Sequence, residues 1–581
     1  MQWYRVDLHL HTPASVDYKD KDASYVDILR RAEYRGIDII AFTDHNTVGG
    51  YAAMMDEIER LEYLERTGRA HAEEMRHLAE YRRLLDKILV LPGFEFTATF
   101  GFHVLGIFPP DTSIRYIEHI LLSLNVPPDV LERGDPAAGS TADVLDAYEM
   151  INEAGGLAIA AHANAAHGVA MRGLNFGGQT RIAYTQDRNL HALELTDLHR
   201  NGRGSTQRFF NGTKPEYPRR MHMIQSSDAH SLDTFKEGKN TRFGIGERVT
   251  EMLLPERSFE AIYEMFRGTD FSRTRPYNPG SQPYDYILAA REEGESLVQS
   301  FHESMERQGG KLHAIVADVC AFANTNGGTI YVGLSSQKNK PPKGIGAVND
   351  AMIVLQREID KLLTPALNIE IDTQEAQGKT IIRVLVPYGE DRPYAINDNN
   401  IYLRDEGETN LAVRDEIVNL VRQGLVFSNG ESHSEQEKPV PIRAEGSLMT
   451  EDGLLPDEPS SDEDADVSPP RSGVEIADVE ERGGTTYYTM RDLRNGSTVS
   501  NVTRSSARRL WHYAIKQYEG NPIKFDKVDW HGEIGMWRRY NKAGSTRYDL
   551  VQRENGALRA YYGVTENGMH GHWSYFLADE E

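Results

Sequence analysis

Short apolar runs alternate with helical stretches over about the first 275 residues, and no other feature constrains the fold as strongly. The runs have the length of buried strands, and helical patterns lie between many of them. Such βα repetition favours a parallel sheet or an α/β barrel. Residues 52–87 are rich in charge and poor in strand formers, which predicts a helical hairpin inserted between two barrel strands. The runs lie at residues 3–10, 37–42, 88–91, 103–108, 157–161, 192–195 and 221–224.

The composition narrows the classes of protein to which the chain can belong. The single cysteine, Cys320, excludes a disulfide framework and any cysteine-based zinc site. The hydrophobic fraction of 39% predicts a soluble protein, and no apolar run reaches the ~18 residues of a membrane span. The N-terminus enters a strand pattern at once, so we expect no signal peptide and a cytoplasmic location. The net charge of −24 argues against general electrostatic binding to nucleic acid, although it leaves a local basic site open.

Metal-competent side chains recur at the ends of the predicted strands. His9 and His11 alternate with apolar residues in the first run, so a strand places both imidazoles on one face. Barrel enzymes carry their sites at the C-terminal ends of the strands, where most of the other candidates fall. The sequence therefore predicts a metal centre at this end of the barrel. The further candidates are Asp44, His45, Glu95, His103, His162, Asp228 and His230.

Five motifs in this order resemble the PHP (polymerase and histidinol phosphatase) family. They are DLHLHTPAS at 7–15, TDHNT at 43–47, PGFEFT at 92–97 followed by HVLG, AHAN at 161–164 and SDAH at 227–230. The resemblance covers residues 1–275. It implies a distorted (β/α)7 barrel with two or three divalent metal ions at its C-terminal mouth, and it implies hydrolysis of phosphoester bonds.

The resemblance also implies a ligand set. Glu95 matches the acidic residue that bridges two metals, and Asp17 lies six residues after His11, with Asp20 close by as an alternative. Asp7 and Asp44 are expected to orient ligand imidazoles from outside the set. The implied metal ligands are His9, His11, Asp17, His45, Glu95, His103, His162, Asp228 and His230.

Imidazole and carboxylate ligands without a thiolate suit Mn²⁺, Fe²⁺ or Zn²⁺, and the sequence does not choose among them. Such ions lower the pKa of bound water to about 7 and hold the attacking and leaving oxygens of a phosphoryl displacement. His230 or Asp228 is a candidate to protonate the leaving oxygen, so we expect catalytic roles for Asp228, His230 and Glu95. Arg172 and Arg200 are either contacts to a second phosphate or ordinary surface residues.

Residues 284–425 form a second predicted domain, a small α/β unit. The stretch CAFANTNGGTIYVG at 320–333, with VLVP at 384–387, RPY at 392–394 and IYLR at 401–404, resembles the Schlafen-type AlbA_2 module. No G-x-x-x-x-G-K-[ST] motif occurs in the chain, so we expect no P-loop ATP site. Nuclease-competent members carry E-x-x-x-x-E-x-K, of which Glu295 remains while Ser300 and His302 replace the second Glu and the Lys. We therefore expect a nucleic-acid-binding, oligomerising or regulatory element rather than a second nuclease.

Residues 426–473 are predicted to be an acidic flexible linker, because Asp, Glu, Ser and Pro dominate them. Residues 474–581 follow as a β-rich domain with one helix at 505–519. This domain has two interpretations. Its cations and aromatic rings form a nucleic-acid platform, or the rings are its core and the cations its solvated face. The platform residues would be Arg504, Arg508, Arg509, Trp511, Trp537, Arg538 and Arg539.

Three functions remain open from the sequence. The leading prediction is a metal-dependent phosphoesterase acting on nucleic acid, either a nuclease or an end-processing phosphatase. The alternatives are a small-molecule phosphatase with regulatory modules and a non-catalytic binding or assembly component. Both resemblances occur in prokaryotic antiphage defence, which suggests that role by analogy, together with a homo-oligomer or an ATPase partner protein. No membrane partner is expected.

Overall fold

The computed structural model describes most of the chain in two compact units. One comprises Met1–Leu362, Ala366–Tyr388 and Arg404–Glu408, and the other comprises Leu363–Pro365, Gly389–Leu403 and Thr409–Glu581. The predicted domain boundaries stay a prediction, and most of the predicted linker lies outside the described residues. Those are 1–136, 140–170, 178–199, 205–214, 216–238, 240–277, 285–337, 339–405, 407–428, 468–482, 484–493, 498–504, 507, 509–542, 545–554 and 557–577.

The strands of the N-terminal region form a curved sheet. Its strands are β1 (Gln2–Leu10), β2 (Ile39–Phe42), β3 (Leu89–Thr97), β4 (His103–Ile107), β5 (Leu157–Ala160), β6 (Ala192–Glu194), β7 (His222–Ile224), β10 (Val249–Leu254) and β11 (Thr274–Tyr277), with a separate hairpin of β8 (Phe235–Glu237) and β9 (Asn240–Arg242). Within the described residues the order is β11-β10-β1-β2-β3-β4-β5-β6-β7. Pairing is parallel for β1–β2–β3 and β5–β6–β7 and antiparallel elsewhere.

The sheet curls until its two ends approach each other. After β7, the Gln225 side chain donates to the carbonyls of Val249 in β10 and Tyr277 in β11, at 2.9 and 3.1 Å. Alternate residues of one strand enter two different cores, for example Ile39 and Ile40, so the strands are apolar on both faces. This confirms the predicted distorted α/β barrel, although antiparallel strands extend it beyond the seven strands predicted.

Helices cover the barrel. They are α1 (Tyr25–Arg35), α2 (Gly49–Arg66), α3 (Ala72–Lys87), α4 (Ile114–Ser123), α5 (Pro128–Arg133), α6 (Val144–Glu153), α7 (Gly178–Gln186), α8 (Thr206–Phe209) and α9 (Phe259–Arg267). Helices α2 and α3 are the predicted hairpin between β2 and β3. Buried Leu78, Tyr81 and Leu84 of α3 join the barrel core, and Arg83 pairs with Glu33 of α1. The hairpin thus packs as part of the barrel wall.

The AlbA_2-like region is a small α/β unit, as predicted. Strands β12, β13, β16 and β15 form its sheet in that order, and α11 and α12 pack on it. Its parallel β12–β13 pair and its antiparallel β13–β16–β15 ladder follow the predicted strands closely. The elements of this region are α10 (Tyr286–Glu293), β12 (Gln299–His302), α11 (Lys311–Asn324), β13 (Gly328–Val332), α12 (Val348–Leu362), β14 (Leu363–Thr364), β15 (Glu370–Ala376), β16 (Lys379–Val386), β17 (Ala395–Ile396), β18 (Tyr402–Asp405), β19 (Glu408–Leu411) and α13 (Arg414–Ser428).

The C-terminal region is β-rich, as predicted. Its sheet is antiparallel, in the order β22-β21-β20-β26-β25-β24-β23 within the described residues, and α14 (Arg509–Gly520) packs on β20 and β26. The helix begins four residues later than predicted. Its strands are β20 (Val474–Arg482), β21 (Thr485–Asp492), β22 (Thr498–Val502), β23 (Asp529–His531), β24 (Ile534–Lys542), β25 (Ser545–Glu554) and β26 (Ala557–Thr565). None of the described helices combines the length and apolar character that a bilayer crossing requires.

Candidate metal centre

The predicted ligands converge at one end of the barrel. Their nitrogen and oxygen atoms form three groups, each with its potential ligand atoms within 4.8 Å of one another. His11 belongs to two of the groups and His45 to two, so the groups adjoin. They are His11 with His45 and His230, His9 with His11 and Asp228, and His45 with Glu95 and His103.

Glu95 lies at the middle of this cluster, in β3. One carboxylate oxygen lies 2.8 Å from Nδ1 of His103, 3.1 Å from Nε2 of His162 and 3.3 Å from Nε2 of His9. The other lies 2.8 Å from Nδ1 of His45 and 3.4 Å from Nε2 of His11. Each oxygen thus faces its own set of imidazoles, which is the arrangement expected of a carboxylate that bridges two ions.

The cluster leaves donor atoms without ordinary partners. Within the described part of the chain, Nε2 of His9, Nε2 of His11, Nδ1 of His45 and one oxygen of Glu95 are buried and accept or donate no hydrogen bond. Buried polar atoms rarely stay unpaired unless an ion or water completes them. Imidazole and carboxylate atoms converging in this way fit borderline divalent cations. The residues present therefore fit the predicted metal ions.

Glu194 completes the environment of His9, and the sequence motifs did not point to it. Its carboxylate accepts a hydrogen bond from Nδ1–H of His9 at 2.8 Å and another from the backbone N–H of His162 at 2.9 Å. The bond fixes the His9 tautomer, so Nε2 is the atom left to bind an ion. The signal was a lone carboxylate in the apolar run 192–195, at the C-terminal end of β6.

We expect Glu194→Gln to weaken metal binding about tenfold, because a neutral acceptor polarises the His9 imidazole less than a carboxylate does. Competition with a chelator measures the affinity directly. Glu132→Gln, on the exposed side of α5, is the matched control and should leave the affinity unchanged. Equal affinities of the Glu194 variant and the wild type would contradict the orienting role.

Asp44 acts on His11 through a relay. Nδ1–H of His11 donates to the Ser15 hydroxyl at 3.0 Å, and that hydroxyl donates to Asp44 at 2.7 Å. Asp44 also accepts from the backbone and side chain of Thr12. Asp7 instead accepts from the backbone N–H of Ser227, so it holds the segment that carries Asp228 rather than an imidazole.

Asp17, rather than Asp20, enters the cluster. One Asp17 oxygen lies 3.3 Å from Nε2 of His45 and 3.2 Å from Nε2 of His230. The Asp20 carboxylate accepts from the backbone N–H of Leu232 instead. Asp17 is the most exposed of the predicted ligands that lie in these contacts, and it marks the outer rim of the cluster.

Two proposed ligands have left-handed backbone conformations. His162 has a φ of 29° and Asp228 a φ of 52°, which side chains other than glycine rarely adopt. Each residue follows a barrel strand, where the chain turns sharply to aim the side chain inward. Such strain persists only where surrounding structure enforces it, and it concentrates at functional sites.

The electrostatics keep the carboxylates ionised. Burial alone raises the pKa of Glu95, but His103, His9 and His45 outweigh it and hold that pKa well below its usual range. Asp228 follows the same pattern, because burial raises its pKa while His9 lowers it further, so the net pKa is depressed. Both groups are therefore anionic at neutral pH and able to neutralise divalent cations.

The remaining histidines of the barrel divide into buried and exposed ones. His191 and His222 are buried, whereas His167 and His199 are exposed. His222 donates from Nε2 to the Gly268 carbonyl at 2.9 Å, and it lies away from the cluster in β7. His191 accepts from the backbone N–H of Ala158. These two have structural roles, as expected. Arg172 and Arg200 lie outside the described residues.

His222 should make the barrel sensitive to acid. Burial lowers its pKa to about 4, so as pH falls the unfolded chain takes up a proton before the folded one does. Stability is therefore lost as pH falls from about 6.5 to about 4, by about 3 kcal/mol for this one group. Urea unfolding of wild type and His222→Gln across this range tests it. The expected result is a gap that shifts in favour of the variant below pH 6.5, and a gap independent of pH would contradict it.

The AlbA_2-like region holds a cluster of its own at the degenerate nuclease motif. The Arg404 guanidinium, buried between carboxylates, donates to Glu295 at 2.9 Å and contacts Asp318 at 3.4 Å. His302 lies 2.8 Å from the other Asp318 oxygen, and Ser300 is buried. An arginine thus neutralises the two carboxylates that remain. This supports the prediction that the region is not a second metal nuclease.

The predicted nucleic-acid residues of the C-terminal region are only partly on its surface. Trp511 is 2% exposed and packs in the core, where it cannot stack on a base, and Trp537 packs partly against the same core. Arg538 and Arg539 are exposed on β24, and Arg504 pairs with Glu519. Arg509 begins α14, and Arg508 lies outside the described residues. The tryptophans therefore follow the core interpretation, while exposed cations remain on β24.

Comparison with known proteins gives one family match. The family model "Schlafen, AlbA_2" matches residues 295–413, which confirms the resemblance predicted for that region. No curated protein sequence matches this chain.

Three solved structures illustrate the likenesses of the fold. The lesion-specific endonuclease PfuEndoQ from Pyrococcus furiosus is 14% identical, with a TM-score of 0.30 over 51% of this chain and 67% of that chain. Endonuclease Q bound to a 27-mer duplex with an abasic lesion is 14% identical, with a TM-score of 0.31 over 51% and 68%. PsfC from Pseudomonas syringae PB-5123 is 16% identical, with a TM-score of 0.29 over 48% and 93%.

Proposed function

We propose that this protein is a metal-dependent phosphoesterase that hydrolyses phosphoester bonds in nucleic acid. The observation that carries the proposal is the cluster around Glu95, in which two carboxylate oxygens face separate sets of buried imidazoles. Divalent ions held there would lower the pKa of a water molecule and polarise the phosphoryl oxygens. The motifs that carry the PHP resemblance supply the residues of this cluster.

The residues of the chain have distinct parts in this proposal. Glu95, His9, His11, His45, His103 and His162 hold the ions, and Glu194 and the Ser15–Asp44 relay orient two of the imidazoles. Asp228 is ionised, and its side chain is 22% exposed, so it is placed to orient the attacking water and to accept its proton.

His230 has one free ring nitrogen to offer. Its Nδ1–H donates to the Asp228 carbonyl at 3.0 Å, which leaves Nε2 facing Asp17 and His45. One atom cannot bind an ion and protonate a leaving oxygen at the same moment. We assign His230 to the ligand set, with Asp17 beside it at the rim, and we assign the acid–base role to Asp228.

Nucleic acid is the substrate class that the rest of the chain favours. Arg538 and Arg539 give β24 an exposed basic patch in an otherwise acidic protein. The helical hairpin α2–α3 packs into the barrel wall through α1. A small-molecule phosphatase, the defence role, a cytoplasmic location, an oligomer and an ATPase partner stay predictions from the sequence.

Turnover by the purified full-length protein tests the proposal. Mn²⁺, Zn²⁺ or Fe²⁺ is added, and the substrates are single-stranded DNA, duplex DNA, RNA, and nucleotide and sugar monophosphates. We expect cleavage of an oligonucleotide and a loss of at least about 10³-fold in His9→Ala/His11→Ala, because two ligands are removed at once. Phosphate release from small monoesters alone would favour the small-molecule phosphatase, and metal binding without turnover would favour a silent site.

The basic patch on β24 has its own variant. Arg538→Ala/Arg539→Ala should raise KM for oligonucleotides and reduce the dependence of binding on salt, while leaving hydrolysis of a small phosphoester unchanged. Unchanged oligonucleotide binding would remove this region from the substrate site.

A further inference from the structure

Phe100 is an exposed aromatic residue in a strained backbone conformation. It lies in the short turn Thr99–Gly101 between β3 and β4, where its φ is 65° and 70% of its surface is exposed. A bulky residue costs about 1–2 kcal/mol in the left-handed region, and glycine would avoid that cost. Exposing the ring yields no burial energy either. Folding alone therefore gives no reason for phenylalanine at this position.

Hydrogen bonds on both sides hold the turn in place. The backbone N–H of Ala98 donates to the Phe102 carbonyl at 2.8 Å, and that of Gly101 donates to the Ala98 carbonyl at 3.0 Å. The backbone and side chain of Thr99 both donate to the Ala142 carbonyl. The strained conformation is therefore enforced by the surrounding chain rather than by Phe100 itself.

The turn is also tied to the metal centre. Nδ1–H of His167 donates to the Gly101 carbonyl at 2.9 Å. The His167 ring stacks on His103 with ring centroids 4.9 Å apart and an interplanar angle of 13°, and the backbone N–H of His103 donates to the His167 carbonyl. His103 in turn lies 2.8 Å from Glu95. One continuous set of contacts thus runs from the exposed ring's turn to the centre of the cluster.

We propose that Phe100 is a substrate-positioning residue whose ring stacks on a nucleobase next to the scissile phosphate. The inference rests on the proposed function and names what the centre recognises beyond the phosphate itself. Every base presents a π-face, so a single aromatic ring binds nucleic acid with little preference for sequence. His167 fixes the turn and thereby sets the distance between the stacked base and the ions.

Cleavage assays on paired substrates test the proposal. One single-stranded oligonucleotide carries an ordinary base next to the scissile phosphate, and the second carries an abasic residue there. Phe100→Ala should lower kcat/KM about tenfold on the first substrate, mostly through KM, and leave the second unchanged. Phe100→Trp should restore the rate. Tyr34→Ala, which removes a ring that is 77% exposed on α1, is the matched control and should change neither substrate.

Phe100→Gly separates stacking from folding. Glycine adopts a φ of 65° without strain, so the melting temperature should not fall, yet kcat/KM on the ordinary oligonucleotide should fall as it does for alanine. Equal losses on both substrates, or no recovery with tryptophan, would overturn the proposal.

Direct binding keeps this test separate from that of the activity. If the wild type cleaves no oligonucleotide, fluorescence polarisation with the same two oligonucleotides decides. Weaker binding of the base-containing oligonucleotide by Phe100→Ala alone would keep the stacking role while the proposed hydrolysis fails. Absence of any oligonucleotide binding, or turnover confined to small monoesters, would overturn the stacking role.

Discussion

Glu95→Gln is expected to abolish turnover, by at least about 10³-fold, and to remove tight binding of divalent ions. The carboxylate contacts His9, His11, His45, His103 and His162 at 2.8–3.4 Å, and it is 1% exposed. Glutamine keeps the shape but withdraws the charge that offsets two cations in a buried site. Calorimetric titration with Mn²⁺ or Zn²⁺ measures the binding, and the substrate panel measures turnover.

Glu149→Gln on α6 is the control for this change, since Glu149 is exposed and lies outside the cluster. It should behave as the wild type in both assays. A Glu95 variant that still binds metal tightly and turns over at more than about one tenth of the wild-type rate would refute the assignment of Glu95 to the centre of the site.

Arg383→Ala is expected to lower the free energy of unfolding by about 3–5 kcal/mol. Arg383 lies in β16, is 5% exposed in its side chain, and donates to both oxygens of Asp270, at 2.7 and 2.8 Å, and to Asp372 at 2.9 Å. Asp270 follows α9 of the barrel, so this ion pair joins the AlbA_2-like sheet to the barrel. Its loss leaves two carboxylates without their cation in a poorly solvated place.

Denaturation by urea, read as the shift of the midpoint at constant slope, measures this loss. Arg357→Ala on α12 removes an exposed arginine and should change the stability by less than about 0.5 kcal/mol. If the Arg383 variant were destabilised by less than about 1 kcal/mol, the pair would not be a significant link between the two regions.

The sequence predicted well those features that depend on local pattern. The apolar runs with helical stretches between them indicated the barrel, because buried strands and covering helices leave their periods in the chain itself. Residues such as His9, His45 and Asp228 fall at strand ends, and all strand ends of one polarity meet at the same mouth. Their convergence therefore followed from their places along the chain.

The partners of a side chain depend on how distant strands pair, and local pattern does not report this. Glu194 meets His9 across 185 residues, and Arg383 meets Asp270 across 113. Trp511 was a candidate for base stacking until its burial against the sheet showed it to be core. The exposure and the φ of Phe100 likewise arise from the hydrogen bonds of its turn.

The sequence by itself thus determined which residues can bind metal and which kind of fold brings them together, since both follow from residue type and period. Only the tertiary structure decided what orients those residues, which aromatic rings are exposed and how the AlbA_2-like sheet is joined to the barrel. Those features are set by contacts between segments far apart in the chain, whose energies exist only once the strands have paired.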